Sequence, residues 1–390
     1  MTASSIESGA QRAGRYASAF AVGETAAPGA WGSIAAACLD ALDSLPERAN
    51  LGFIYVTAAL ADDLGSIVTF LRERSGVADW TGTVGLGVMA SGAEFYDRPA
   101  LSILVAALPE GSYRPFRPVV SDMADFDRHH GAWVGEHKPI LGVVHGDPRN
   151  PAIVDIVEAV SGKTSAFLVG GLTASESPEF PQVCGTLAEG GLSGVLFSSE
   201  QLAVTGLSQG CTPIGESHEV TGAAGQGIVT SLDDRPALAV LREDVGELLA
   251  RDLSRIGGYI FAALPIPGSD TGDYLVRNLV GLDMERECLQ IGDEVAGGDR
   301  LGFCRRDHAS ARSDLKRMLE DLRERAGGAP RAALYFSCVA RGRHLFGTNS
   351  EELQLIRETF GDIPLSGFFA NGEISNNRLY GYTGVLTLLL

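Results

Sequence analysis

No apolar run in this 390-residue sequence approaches the ~18 residues a helix needs to span a bilayer; the longest are strand-sized. The first ten residues lack both a basic region and an apolar core, so no secretory signal is expected. Positive charge is scarce: 31 Lys and Arg against 49 Asp and Glu leave a formal net charge of −18. That balance argues against a nucleic-acid partner, which needs clustered cations, and against anionic membrane surfaces. A cytoplasmic protein held apart from its neighbours by self-repulsion is the expectation. The six cysteines, at 38, 184, 211, 288, 304 and 338, never stand two residues apart. Neither a zinc knuckle nor a thioredoxin-like redox pair is spelled by that spacing, and reduced thiols are the simplest account.

Familiar site motifs are also missing. Ser161-Gly162-Lys163-Thr164 resembles the end of a phosphate loop, but Val157 stands where the leading glycine is required, and the segment ends a helix instead of opening one. Gly85-x-Gly87 leads from strand to strand, so no helix N-terminus is available for a pyrophosphate. There is no His-Glu-x-x-His and no EF-hand loop. His129, His130 and His137 share a polar segment without spaced carboxylates, so no metal and no cofactor are expected.

What is present is glycine, 49 residues of it, in a chain that is 45% hydrophobic, and a repeated grammar. Strand 51–57, a helix from 62 to 74, a strand from 83 to 89 and another from 100 to 107 form one copy. Residues 331–390 repeat it, and 139–171 carry a weaker copy. With the preceding elements, each copy reads strand, helix, strand, helix, strand, strand, with glycine-rich polar loops at strand ends. The expected fold class is mixed α/β: helices cover sheets that combine parallel pairs across helix crossovers with antiparallel pairs at each unit's end. Residues 1–18, small and polar, read as a loose tail. The body divides into 19–245 and 255–390, separated by an amphipathic helix at about 241–256. Pro265 to Asp270 reads as a loop, and helix 308–325 has a plainly amphipathic face.

Three loops carry chemical character. Cys338, Arg341 and Arg343 follow one repeat strand, and Asn371-Gly372-Glu373 follows the next. Guanidinium groups can fork onto a carboxylate, while a carboxylate with an amide can hold an ammonium, so the set suits a zwitterion. An Arg–Glu pair that only ties loops together is the plainer alternative. The second loop, Gln209-Gly210-Cys211-x-Pro213-Ile214-Gly215-Glu216, leads into His218-x-Val220-Thr221; the third is Arg277-Asn278-Leu279-Val280-Gly281-Leu282-Asp283.

These segments carry a family resemblance. The second loop, with Leu232-Asp233-x-Arg235-Pro236-Ala237-Leu238, resembles the end of a FIST N domain. Tyr274 to Asp283, Phe336-Ser337-Cys338-x-x-Arg341-Gly342 and Pro364-Leu365-x-Gly367-Phe368-Phe369-Ala370-Asn371-Gly372-Glu373-Ile374 resemble a FIST C domain. The resemblance runs from about residue 18 to near the end, in N-then-C order. It implies a sensory module of signal transduction that binds small ligands such as amino acids, with no established catalytic residue. FIST modules are often fused to output domains, for which 390 residues leave no room, so a separate signalling protein is the expected partner. Cys338, Arg341, Arg343, Asn371, Glu373, Gln209, Cys211, Arg277 and Asn278 are the candidate ligand-binding residues. Right-handed crossover of the last repeat sets Arg341 and Glu373 at the same sheet end. An enzyme using Cys338 or Cys211 as nucleophile, or an interaction scaffold without a ligand, are the alternatives.

Overall fold

A computed structural model describes residues 6–24, 29–42, 44–266 and 274–390; the predicted loop at 265–270 lies outside these from Pro267 on. The chain forms two compact units, Met1–Ser208 with Leu315–Leu390, and Gln209–Asp314.

The first unit opens with hairpin β1 (Glu7–Ala13) and β2 (Tyr16–Val22). The described part of the predicted loose tail is therefore strand. Its small residues are the reason: Ala17, Ala19 and Ala21 form a flat face on which α1 (Ala30–Ala41) packs through Ile34, Ala35 and Cys38. There follow β3 (Leu51–Thr57), α2 (Leu64–Ser75), β4 (Asp79–Gly85), hairpin β5 (Gly87–Ala90) and β6 (Ala93–Tyr96), and β7 (Ala100–Ala106). The second repeat runs β8 (Tyr113–Val119), α3 (Ala124–His137), β9 (Leu141–Gly146), α4 (Ile153–Thr164), β10 (Phe167–Leu172), hairpin β11 (Gln182–Cys184) and β12 (Thr186–Ala188), and β13 (Leu192–Phe197). Residues 161–164 are the last turn of α4, closed by left-handed Ser165.

After β14 (Ala203–Ser208) the chain enters the second unit. It comprises β15 (Cys211–Ala223), β16 (Ile228–Leu232), β17 (Arg235–Pro236), α5 (Ala237–Asp244), α6 (Gly246–Ala250), β18 (Ile260–Pro265), β19 (Tyr274–Asp283), β20 (Cys288–Ile291) and β21 (Arg300–Arg306). These strands pair antiparallel in the order β15-β21-β18-β19-β20-β16-β17, over a core that includes Val220, Leu238, Leu241, Ile260 and Phe303. The single helix predicted over 241–256 is broken at Gly246, whose φ of +76 is outside the helical region. Helix α7 (His308–Ala326) contains the division between the units. The third repeat is completed by β22 (Ala332–Cys338), α8 (Glu351–Phe360), β23 (Leu365–Ala370), hairpin β24 (Glu373–Ser375) and β25 (Arg378–Tyr380), and β26 (Gly384–Leu389).

The mixed α/β class expected from the sequence is the one observed, and the repeat goes further. Each repeat builds the same four-strand core: opening strand, closing strand, then a parallel pair. The pairs are β3 with β4, β9 with β10 and β22 with β23. The hairpin that follows each pair leaves its own sheet. β5 pairs with β23, β11 with β4 and β24 with β10, so each repeat lends its hairpin to another and the three loans close a ring. Among the described residues no helix is long and apolar enough to cross a membrane.

Register shows how closely the repeats correspond. Gly82, Gly170 and Gly367 face Ile54, Val144 and Tyr335 across the three parallel pairs. A Cβ on these glycines would lie 1.7, 1.9 and 1.8 Å from the facing carbonyl oxygens. The residues one step on, Tyr55, His145 and Phe336, meet in the interior together with Phe368. Tyr55 stacks on Phe368 at 5.0 Å and packs edge-on to Phe336 at 6.1 Å, and its hydroxyl lies 3.2 Å from His145 Nε2. Burial pushes His145 down to about 3, so the ring is neutral at pH 7.

Each of Gly82→Ala, Gly170→Ala and Gly367→Ala is expected to cost about 3 kcal/mol or more, because backbone, not a movable side chain, occupies the space. Urea denaturation midpoints test this. Gly162→Ala, where a Cβ meets nothing within 4 Å, is the control and should leave the midpoint at least as high.

Candidate functional site

The parallel pairing of β22 with β23 brings the segments after them to one sheet end, as the crossover argument required. What happens there differs from the expectation. Arg341 is fully buried, and its carboxylate partner is Glu352 of α8, not Glu373: Nε and Nη2 donate to Glu352 Oε1 at 2.8 and 2.7 Å. The same carboxylate accepts hydrogen bonds from Tyr335 and Ser337 hydroxyls and from the Gly342 N–H. Arg341 also donates to the Ser208 carbonyl and lies 5.1 Å over the Phe346 ring. Desolvating two charges is tolerated only because nearly every donor and lone pair is matched. The guanidinium is thus a tie of the loop after β22. Glu352 escaped the sequence reading although a signal existed: it falls on the apolar face of α8, three and four residues before buried Leu355 and Ile356.

Glu373 is also buried, and its Oε2 accepts from the N–H and hydroxyl of Thr383 at 3.1 and 2.8 Å. Its counterpart in the second repeat is Gln182: each precedes the hairpin residue that faces the glycine, Ile374 opposite Gly170 and Val183 opposite Gly82. Gln182 does the same job, bonding Gly191, the residue just before the closing strand, and Ser193. Burial pushes Glu373 up to about 8. Near neutral pH it is largely protonated and plays the part of the neutral amide. Burial, then the Glu373 carboxyl, pushes the Cys338 thiol up to about 12, so it holds almost no nucleophilic thiolate.

Three residues at the convergent strand ends are equivalent by register: Thr57, Asp147 and Cys338 each stand three places after the residue that faces the glycine. Two of these ends are closed by ion pairs. In the second repeat buried Asp147 is forked by Arg149, which also pairs with Glu189 at 2.8 Å. In the third, Arg341 and Glu352 close it. The first has only the Thr57 hydroxyl, turned onto the Arg98 carbonyl. There a recess of about 430 Å³ remains, lined by Thr57, Leu86, Asp97, Arg98, Glu176 and Ser177. The predicted residue Arg343 reaches its rim, paired with Asp97 and stacked 4.5 Å over Tyr96. That ion pair holds Asp97 below the usual carboxylate range. The Arg98 guanidinium has, among the described residues, only a 3.7 Å contact with exposed Glu7. Asn371 is exposed, its N–H bonded to the Leu172 carbonyl.

The remaining candidates belong to the second unit. Gln209 takes Asp314 on its N–H and bonds the Tyr274 carbonyl through its side chain. Cys211 is buried, with its carbonyl bonded by the Tyr274 hydroxyl. Arg277 pairs with Asp293 at 2.7 Å, and Asn278 is exposed on β19. His218 is held on both ring nitrogens, by Asp233 at 2.6 Å and Asp244 at 3.0 Å. Among the described residues no group of three or more His, Cys, Asp or Glu side chains is placed to hold a metal ion.

Comparison with known proteins finds the FIST N domain over residues 50–235 and the FIST C domain over 237–376. That junction is near the one predicted at 245–255, but it is not the spatial division, which falls at 208 and 314. An uncharacterized protein of Mycobacterium tuberculosis is 39% identical over 211 residues, 51% of this chain and 54% of the relative. One of Mycobacterium bovis is 38% identical over 195 residues, 47% of this chain and 50% of the relative. The chain spans about half the length of these relatives.

Two outcomes follow from the closed strand end. Arg341→Ala should cost about 3–5 kcal/mol by stranding the buried Glu352 charge; a calorimetric melt decides it. For Glu373, a folded-state pKa above the unfolded value means its contribution is full below about 4.5 and is lost as pH rises through about 8. Glu373→Gln should remove that loss, so the variant's denaturation midpoint gains on the parent's between those pH values. Parallel curves would contradict the assignment.

Proposed function

Because the chain belongs to the FIST family, with a FIST N domain followed by a FIST C domain, we propose that it is a small-ligand-binding sensory protein. FIST domains are associated with sensory signal transduction and small-ligand binding. Its ligand is a small metabolite carrying both charges, such as an amino acid. It works in the cytoplasm, as its acidic balance fits, and passes its signal to a separate protein.

The observation that supports this reading is the one open strand end. Ligands of α/β sheets bind at the carboxyl ends of parallel strands, and of three equivalent ends the first alone lacks an ion-pair plug. Its 430 Å³ lies within the range of small-molecule sites. Arg98 offers a carboxylate its fork, and Glu176 offers an ammonium its counter-charge. The exposed Arg98–Glu7 contact is weak enough to exchange for a ligand.

A thermal-shift panel of amino acids and small organic acids tests it. A true ligand at a hundredfold its dissociation constant should add ~2.7 kcal/mol of stability. Arg98→Ala and Glu176→Gln should each abolish that shift while leaving the melting point of the free protein unchanged. A response that survives both substitutions, or no response to any compound, would overturn the proposal.

A further inference from the structure

A second cavity of the first unit lies away from the strand ends: a groove of about 710 Å³ between β8 and α3, sharing no lining residue with the recess above. Strand β8 is the edge of its sheet, and it carries Pro115 and Pro118. Prolines on an edge remove the donors another strand would need, so the groove is not built to add a peptide strand.

It brings two arginines of the edge strand together among three carboxylates, Asp79, Asp122 and Asp125. Arg114 and Arg117 stand three apart, a spacing that in a regular strand sends side chains to opposite faces. Here the register against β13 slips: Phe116 faces Gly194 and Val119 faces Leu192, so β8 holds one residue extra between them. The bulge re-aims Arg117, and both arginines are exposed and line the groove. Arg114 is laid along α3, its Nε donating to His130 Nδ1 at 3.4 Å and its Nη2 to the His129 carbonyl at 3.3 Å. The Arg117 guanidinium has no side-chain hydrogen bond or ion pair among the described residues; it acts on the buried Cys184 thiol only by its charge.

The acids of the groove are already engaged. Asp79 accepts from the Tyr113 hydroxyl at 2.9 Å, Asp122 caps the Ala124 N–H at 2.8 Å, and Asp125 sits 3.4 Å from Arg128 and 3.5 Å from His129. His130, which accepts from Arg114, is neutral, pushed down to about 4 by burial and then by Arg114. Phe126 packs 5.0 Å from the His130 ring and edge-on to Phe116 at 5.4 Å, and half-exposed Val120 adds apolar wall.

We propose that this groove is a second ligand site, for a small monocarboxylate with a flat apolar body: the carboxylate forks onto Arg117 beside Arg114, and the body lies against Phe126, His130 and Val120. It is independent of the zwitterion site, and either can fail without the other.

Benzoate is the probe, followed by the imidazole NMR signals of His129 and His130 in the full chain, with benzamide and inorganic phosphate as controls. Benzoate should move both signals saturably, and benzamide and phosphate should not. Arg117→Gln should weaken benzoate at least ~10-fold, the scale of one charge-assisted bond, with an unchanged melting point. Arg98→Ala should leave benzoate binding intact. The proposal is overturned if benzamide or phosphate binds as well as benzoate, if Arg117→Gln binds like the parent, or if benzoate moves neither histidine.

Discussion

A strand with one side unpaired leaves a row of backbone donors and acceptors without partners, and each repeat of the first unit would by itself leave such an edge, on β4, β10 and β23. None can be paired from within its own repeat, because the chain that follows each strand turns away as a hairpin. The edges are satisfied in rotation, each by the hairpin of another repeat. The arrangement is cooperative in a strict sense. Removing one repeat leaves one edge bare and one hairpin without a sheet.

That exchange also assembles the chemistry. Tyr96 and Asp97, at the end of the first repeat's hairpin, meet Arg343 of the third because β5 pairs with β23. Glu373 can latch the closing strand of the third repeat while its hairpin pairs with the second. Side chains that are remote in sequence are brought together by backbone pairing, and no local spacing announces it.

Near-equivalence of the repeats allows comparison within one molecule. Glu373 and Gln182 occupy the same place and make the same kind of latch, which identifies Glu373 as a carboxyl that behaves as an amide. Thr57, Asp147 and Cys338 mark three equivalent strand ends, and the contrast between two ion-pair plugs and one open recess separates scaffold from candidate site. The comparison corrects the sequence reading of Arg341: a guanidinium beside a carboxylate was visible in principle, but the partner, its burial and the missing solvent were not.

Local pattern determined a good deal by itself. Periodicity of apolar residues located the helices at 64–75 and 308–326 and the strands of the repeats, since a helix or strand must show its buried face in its own residues. The repeat, the mixed class and the two family segments were legible for the same reason. The hairpin strands β6, β12 and β25 were not, because three or four half-buried residues carry too little alternation. Nor was β2, whose alanines look like a tail until α1 covers them. Which repeat receives which hairpin, and which arginine is buried, only the tertiary structure decided. Both depend on long-range pairing and desolvation, which arise between segments and leave no period within any of them.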